Sequence, residues 1–197
     1  MAANQADQVK VLREETGAGI MDCKRALTEA KGDFEAARGL LRKRGFEIAQ
    51  TKSGRAAKEG QVFSYIHLGG KIGVLVEVNC ETDFVARNSE FQQFGCDIAM
   101  QIAASHPVFI SREEADAKWL EQEKEIFQTQ VKDKPAQIQA QIIQGKLEKR
   151  FQEVCLLDQK FIKNEEITIQ NLLTSLISKL GENVIIKRFR RFEIGSE

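Results

Sequence analysis

A few residue groups have the types and spacing for chemistry. Cys80 and His67 would form a thiol–imidazole pair, the histidine taking the thiol proton to free a nucleophilic thiolate. Glu81 and Asp83 would be paired carboxylates for acid–base work. Gly17-Ala18-Gly19 echoes a phosphate-binding loop. Lys187, Arg188, Arg190 and Arg191, interleaved with Phe189 and Phe192, would touch phosphates and stack on bases. Each group also has a plainer reading. Nothing in the sequence supplies an orienting group or oxyanion donors for Cys80 and His67. Two acids beside a helix start are charges that the helix dipole stabilises. The glycine loop lacks the longer glycine pattern, and no strand precedes it. The basic run reads as a solvated edge strand, where charge discourages edge-to-edge aggregation. The expectation is a protein that is not an enzyme and does not bind nucleic acid directly.

A metal centre or cofactor is not expected either. The histidines are His67 and His106, and the cysteines Cys23, Cys80, Cys96 and Cys155 form no C-x-x-C pair. Unclustered thiols read as reduced, and the start MAANQADQVK has no basic segment before an apolar stretch. No apolar run reaches the roughly 18 residues of a spanning helix. These features lead to the expectation of no membrane association and a cytoplasmic location, or the stroma or matrix of an organelle. The 197 residues suffice for a core without staples, and 29 basic side chains balance 29 acidic ones. The balance is uneven along the chain. Residues 1–60 carry twelve basic and nine acidic side chains, and residues 61–110 carry two and five. The acidic middle argues against nucleic acid, and the segments suggest different tasks.

The elements follow from hydrophobic period and punctuation. Val9 and Leu12 precede a glycine turn. Ile20, Met21, Cys23, Ala26 and Leu27 recur at helical spacing up to Gly32. Asp33 is placed to cap a third helix carrying Phe34, Ala37, Leu40 and Leu41, with Gly45 as its end. This gives a three-helix domain over 1–46 and a polar, basic linker over 47–60. The period then shortens to that of strands. Runs around Gly69-Gly70 predict a β-hairpin, whose second run is apolar on nearly both faces and so should be covered by helices. Phe91, Phe94, Ile98 and Ile102 mark one helix stripe. Two charged helices around Pro135 predict a projecting helical hairpin over about 111–156. Ile169 to Leu180 form a helix closed by Gly181, and VIIKRFRRFEI reads as a third strand with a bulge between its aromatic residues. The expected fold class is α+β, with the core domain over 61–197.

With catalysis unsupported, protein recognition remains. Ile20 and Met21 start a helix after a glycine loop, where methionine offers a soft contact surface, and core packing explains them as well. Phe84, in Thr82-Asp83-Phe84-Val85 directly after the strand VLVEVN, is open between core plug and interface anchor.

At these residues the chain resembles a known family. LREETGAGIMDCKRAL (12–27) with Gly32-Asp33, VEVNCETDFVARN (76–88) and RFEIG (191–195) resemble, in order and spacing, the signatures of the elongation factor Ts family. The resemblance implies a guanine-nucleotide exchange factor for elongation factor Tu, with an N-terminal domain similar to ubiquitin-associated (UBA) domains docking on the partner's G domain. The matching positions are Leu12, Arg13, Ile20, Met21 and Lys24, with Ile20-Met21 standing where the family usually has Met-Met. Lys52 carries over from a paired-lysine linker motif, Thr51 standing in the other place. Thr82, Asp83, Phe84 and Val85 match the segment whose phenylalanine wedges beside the partner's magnesium and nucleotide site. His67, in Tyr65-x-His67-x-Gly69-x-Lys71-Ile72-Gly73, matches a histidine that longer relatives carry in a second core half. This chain has one hairpin where longer members have two. It resembles the short form of the family, in which two copies pair, so a homodimer is implied, through sheet edges a monomer would leave open. The alternative is a UBA-like protein-binding adaptor without exchange activity.

Overall fold

The computed structural model describes residues 5–132 and 135–195. Residues 1–4 of the expected first domain, 133–134 of the expected hairpin and 196–197 of the expected core lie outside the described residues. Helix α1 (Gln5–Thr16) stops at Gly17, whose φ of 68° lets its N–H turn back onto the Arg13 carbonyl at 2.8 Å. Helix α2 (Ile20–Glu29) ends in the same way, with Gly32 N–H on the Leu27 carbonyl at 2.8 Å. Asp33 then caps α3 (Phe34–Lys52) by accepting the Ala36 N–H at 3.1 Å. The three helices bury Val9, Leu12, Cys23, Ala26, Leu27, Ala37 and Leu41 together. Full burial of a leucine contributes on the order of 1.5–3 kcal/mol, so this small core depends on Leu12, Leu27 and Leu41. The arrangement is a UBA-like three-helix unit.

Gly45 does not close the third helix. The helix runs on to Lys52, and Gly45 is buried within it, its α-carbon face turned to Ser178 and Thr174. A glycine inside a helix costs only about 1 kcal/mol against alanine, and packing by the neighbouring helix outweighs that. The expected linker is therefore helical as far as Lys52.

Strands β1 (Glu59–Ile66) and β2 (Ile72–Cys80) form the expected hairpin, with His67 N–H on the Ile72 carbonyl and Gly69 and Gly70 at positive φ in the turn. Val74, Val76, Val78 and Cys80 are buried, but Leu75 on the other face is half exposed, so only one face of β2 is covered. Helix α4 (Asp83–Ala86) follows β2 directly, and α5 (Ser89–Ser105) buries Phe91, Phe94, Ile98 and Ile102 as their spacing predicts. A 3-10 turn (Arg112–Glu114) leads to α6 (Ala117–Thr129), with α7 (Ala136–Val154) beyond Pro135. A second 3-10 turn (Leu156–Asp158) precedes a small hairpin, β3 (Lys160–Phe161) with β4 (Asn164–Thr168), that the sequence did not announce. Helix α8 (Ile169–Leu180) ends at Gly181, φ 72°, and β5 (Val184–Glu193) completes a sheet of order β1-β2-β5. The fold class is α+β. Along β5 the inward positions shift by one between Ile186 and Phe189, before the aromatic pair, while from Phe189 to Glu193 they alternate regularly, so the bulge expected between Phe189 and Phe192 is not there.

The chain divides into two compact units. The first holds the residues up to Val62, with Glu77–Gly95 and Asn171–Lys187. The second holds Phe63–Val76, Cys96–Gln170 and the residues from Arg188 on. Within the second, α6 and α7 form the expected helical hairpin. Trp119 packs on Phe109 edge-on with ring centres 5.3 Å apart and on Phe151 at 5.8 Å, and Arg150 pairs with Glu123 at 3.2 Å. Arg112 joins Asp158 at 2.9 Å and Glu148 at 2.9 Å across the hairpin's base. The buried Gln101 amide secures the β3–β4 hairpin, donating to the Lys160 carbonyl and accepting Ile162 N–H.

Candidate functional site

The site is built on the turn that leaves β2. Cys80 ends the strand with its side chain inward, and the chain must then start α4 within two residues. Thr82 is the N-cap: its hydroxyl oxygen accepts the Val85 N–H at 3.3 Å. Val85 and Ala86 turn into the core. In so short a helix this sends the preceding side chain out, and Phe84 is 81% exposed. Leaving a phenylalanine in water forgoes about 1.5–3 kcal/mol, and nothing in the fold of this turn requires it. Asp83 and Arg87 pair beside it at 3.0 Å, on the surface.

The turn is held from the far end of the first unit. One carboxylate oxygen of Glu182 accepts the N–H groups of Glu81 at 3.2 Å and Thr82 at 3.0 Å, and the other accepts the Thr82 hydroxyl at 2.7 Å. Asn183 N–H returns a bond to the Glu81 carboxylate at 2.7 Å. The buried Asn183 amide donates to the Arg55 carbonyl at 2.8 Å, and Arg55 faces Glu81 at 3.5 Å. Glu182, Asn183 and Arg55 were missed from sequence. The only local signal was Gly181, whose left-handed conformation ends α8 and releases the next two residues toward the turn.

These contacts also decide the chemistry. Burial, with the Glu182 charge second, pushes the Cys80 thiol up to about 11, and its S–H donates to the Thr82 carbonyl at 3.1 Å. At neutral pH it is a protonated structural thiol rather than a nucleophile. The Asn183 N–H, with Arg55 assisting, holds the Glu81 carboxyl below its ordinary value. A carboxyl depressed on folding contributes stability above its unfolded pKa and loses it as pH falls through the folded pKa. The thermal midpoint of Glu81→Gln is therefore expected to lie below wild type at neutral pH, the gap closing once pH drops below the ordinary carboxylate range. A gap that persists unchanged into acid would exclude this role for the charge.

The other expected site residues fall into two groups. Ile20 (53%), Met21 (66%), Lys24 and Arg13 are exposed at the start of α2 and on α1. Lys52 is half-buried at the end of α3. Leu12 and Val85, with 0% and 6% exposure, are buried in the protein's core. The glycine loop is not a phosphate cradle, because the Asp22 carboxylate lies over Gly19 at the start of α2. His67 lies in the second unit, exposed at the hairpin turn, with Nδ1 3.1 Å from the Tyr65 hydroxyl. In the basic tail Arg191 is committed internally, to the Ala103 carbonyl and Glu193. Among the described residues no three His, Cys, Asp or Glu side chains group as metal ligands, and no helix is long and apolar enough to cross a membrane.

The sequence matches the family model described as elongation factor TS over residues 35–196. A protein named elongation factor Ts from Syntrophus aciditrophicus is 54% identical over 191 residues, covering 96% of this chain and 95% of that one. One of the same name from an Anaeromyxobacter species is 55% identical over 197 residues, covering 99% and 90%. One from Thermotoga petrophila is 50% identical, covering 96% and 95%. The relatives extend the similarity through the first two helices, which the family model leaves out.

Proposed function

Since the chain belongs to the elongation factor Ts family, we propose that it is a guanine-nucleotide exchange factor that binds elongation factor Tu and promotes release of GDP. The observation that supports this most is Phe84, an aromatic ring held in solvent on a turn braced by hydrogen bonds. No bond need be made or broken. An exchange factor lowers nucleotide affinity by binding a partner conformation that holds nucleotide poorly, and linkage requires nucleotide to weaken the factor's own grip equally. Phe84 inserts beside the partner's magnesium and nucleotide site, with Thr82 and Asp83 fixing the approach. Ile20, Met21, Arg13 and Lys24 dock the helical domain of residues 1–46, Lys52 contributes from the segment 47–60, and His67 presents a second contact from the core domain, 61–197. The magnesium displaced belongs to the partner, so no metal ligand or cofactor is assigned to this chain. The protein acts in the cytoplasm, or in an organelle's stroma or matrix, without direct contact to nucleic acid or membrane.

The assembly we propose is a homodimer. Its support lies in the second unit, where Ile66 (66%), Leu75 (49%) and Phe192 (64%) are exposed on the sheet, beside Leu68 (92%) in the hairpin turn and Ile194 (75%) just past β5. Monomers rarely leave so many large apolar side chains together in water. This favours pairing through the sheet face over the edges, since the β5 edge is lined with basic residues.

Release of fluorescent GDP from elongation factor Tu, with and without the protein, tests the activity. Acceleration is expected. Binding with no acceleration would favour the UBA-like adaptor. Sedimentation at micromolar concentration is expected to give twice the 22.2 kDa chain mass, and a monomer mass would dismiss the dimer.

A further inference from the structure

We infer that Glu182, on the turn after α8, is a positioning residue that holds Phe84 ready for its partner; the inference rests on the reading of Phe84 as the inserted group. Three donors of the Phe84 turn converge on this one carboxylate: Glu81 N–H, Thr82 N–H and the Thr82 hydroxyl. The hydroxyl bond matters beyond its own strength. By donating its hydrogen to Glu182, Thr82 turns a lone pair toward Val85 N–H, which fixes the cap of α4. The tie is reciprocal, because Asn183 N–H bonds back to the Glu81 carboxylate. The residues after β2, Glu81 and Thr82, and those before β5, Glu182 and Asn183, are thus tied crosswise.

The fold has little need of the Glu182 carboxylate itself. Thr82 is exposed, so water would satisfy its N–H and hydroxyl if Glu182 were removed. What the carboxylate adds is a single orientation for the turn. A partner that requires that orientation binds in proportion to the fraction of molecules that have it. Loss of charge-assisted bonds to the turn is expected to cut that fraction about ten-fold.

The geometry distinguishes a positioning role from a direct charge contact with the partner. A glutamine at 182 can rotate its carbonyl oxygen toward the two N–H groups and donate its amide to the Thr82 hydroxyl oxygen, which has a second lone pair free. Neutral bonds replace ionic ones, but the orientation is kept.

The test measures stimulated GDP release from elongation factor Tu at sub-saturating concentrations of this protein, where the rate follows the binding-competent fraction, alongside hydrogen exchange of individual amides. Glu182→Ala is expected to lower the rate about ten-fold and to speed exchange at Glu81 and Thr82 while leaving circular dichroism unchanged. Glu182→Gln is expected to recover to within about three-fold of wild type. In a Phe84→Ala background, Glu182→Ala should cause no further loss. If Glu182→Ala does not fold, Glu182→Asp, one methylene too short to reach the turn, should show the same defect. A wild-type rate for Glu182→Ala overturns the inference. So does a glutamine variant as defective as alanine, or an added loss in the double variant. Full stimulation by Phe84→Ala alone would instead remove the underlying reading, and is told apart because Glu182 is then intact.

Discussion

Phe84→Ala is expected to remove most of the stimulation of GDP release while leaving the protein as stable as before. The ring is 81% exposed, so its removal opens no cavity and takes no buried area from the core. The residues that hold α4 are Val85 and Ala86 on the inward side and the Thr82 cap, and none of them depends on the ring. Stability should therefore stay within about 0.5 kcal/mol of wild type. The kinetic effect should be much larger. A centrally placed aromatic anchor contributes about 2 kcal/mol or more to an interface, which corresponds to roughly thirty-fold in rate if it acts only in the nucleotide-free complex. Phe84→Leu should fall between, keeping apolar area while losing the flat ring. Stimulated release equal to wild type, with the far-ultraviolet spectrum unchanged, would remove Phe84 from the mechanism.

The sequence left Phe84 open between core plug and anchor for a physical reason. Its neighbours Val85 and Ala86 are as apolar as it is, and in a four-residue helix there is no period to say which of them faces in. Longer elements were legible because their period repeats. The stripe from Phe91 to Ile102 was read from spacing alone and is buried throughout. Gly45 misled because a glycine after an apolar run usually ends a helix. Here its neighbour is α8, through Ser178 and Thr174, more than a hundred positions away in sequence. The clamp on the Phe84 turn was hidden for the same reason, since Glu182 and Asn183 meet Glu81 and Thr82 only after the chain has folded. The β3–β4 hairpin escaped because its first strand has two residues, too few for alternation to register. Family resemblance located Leu12 and Val85 but could not give their burial.

Gly60→Ala is expected to destabilise the protein by about 3 kcal/mol or more, a large part of the 5–15 kcal/mol typical of a folded domain. Gly60 sits in β1 at φ 138°, where a side chain is strained, and an added Cβ would lie 2.2 Å from the Val78 carbonyl oxygen and 2.7 Å from the Asn79 α-carbon. Those atoms belong to the backbone of β2 and cannot rotate aside. Other glycines show the difference. At Gly73 the nearest atom is the tip of Ile66, a side chain free to move, and at Gly45 nothing comes nearer than 3.8 Å. Relief at Gly60 requires β1 and β2 to part beside Val78 and Asn79, just before the Phe84 turn. The substitution should then act twice. Urea unfolding should show the lost stability, and the fraction that remains folded should stimulate GDP release less than wild type, because Glu81 and Thr82 no longer meet Glu182 at the same place. A stability loss under about 1 kcal/mol would mean that the strands separate at little cost. In that case their pairing at Gly60 does not hold the turn in position, and the brace on Phe84 must come from Glu182 and Asn183 alone.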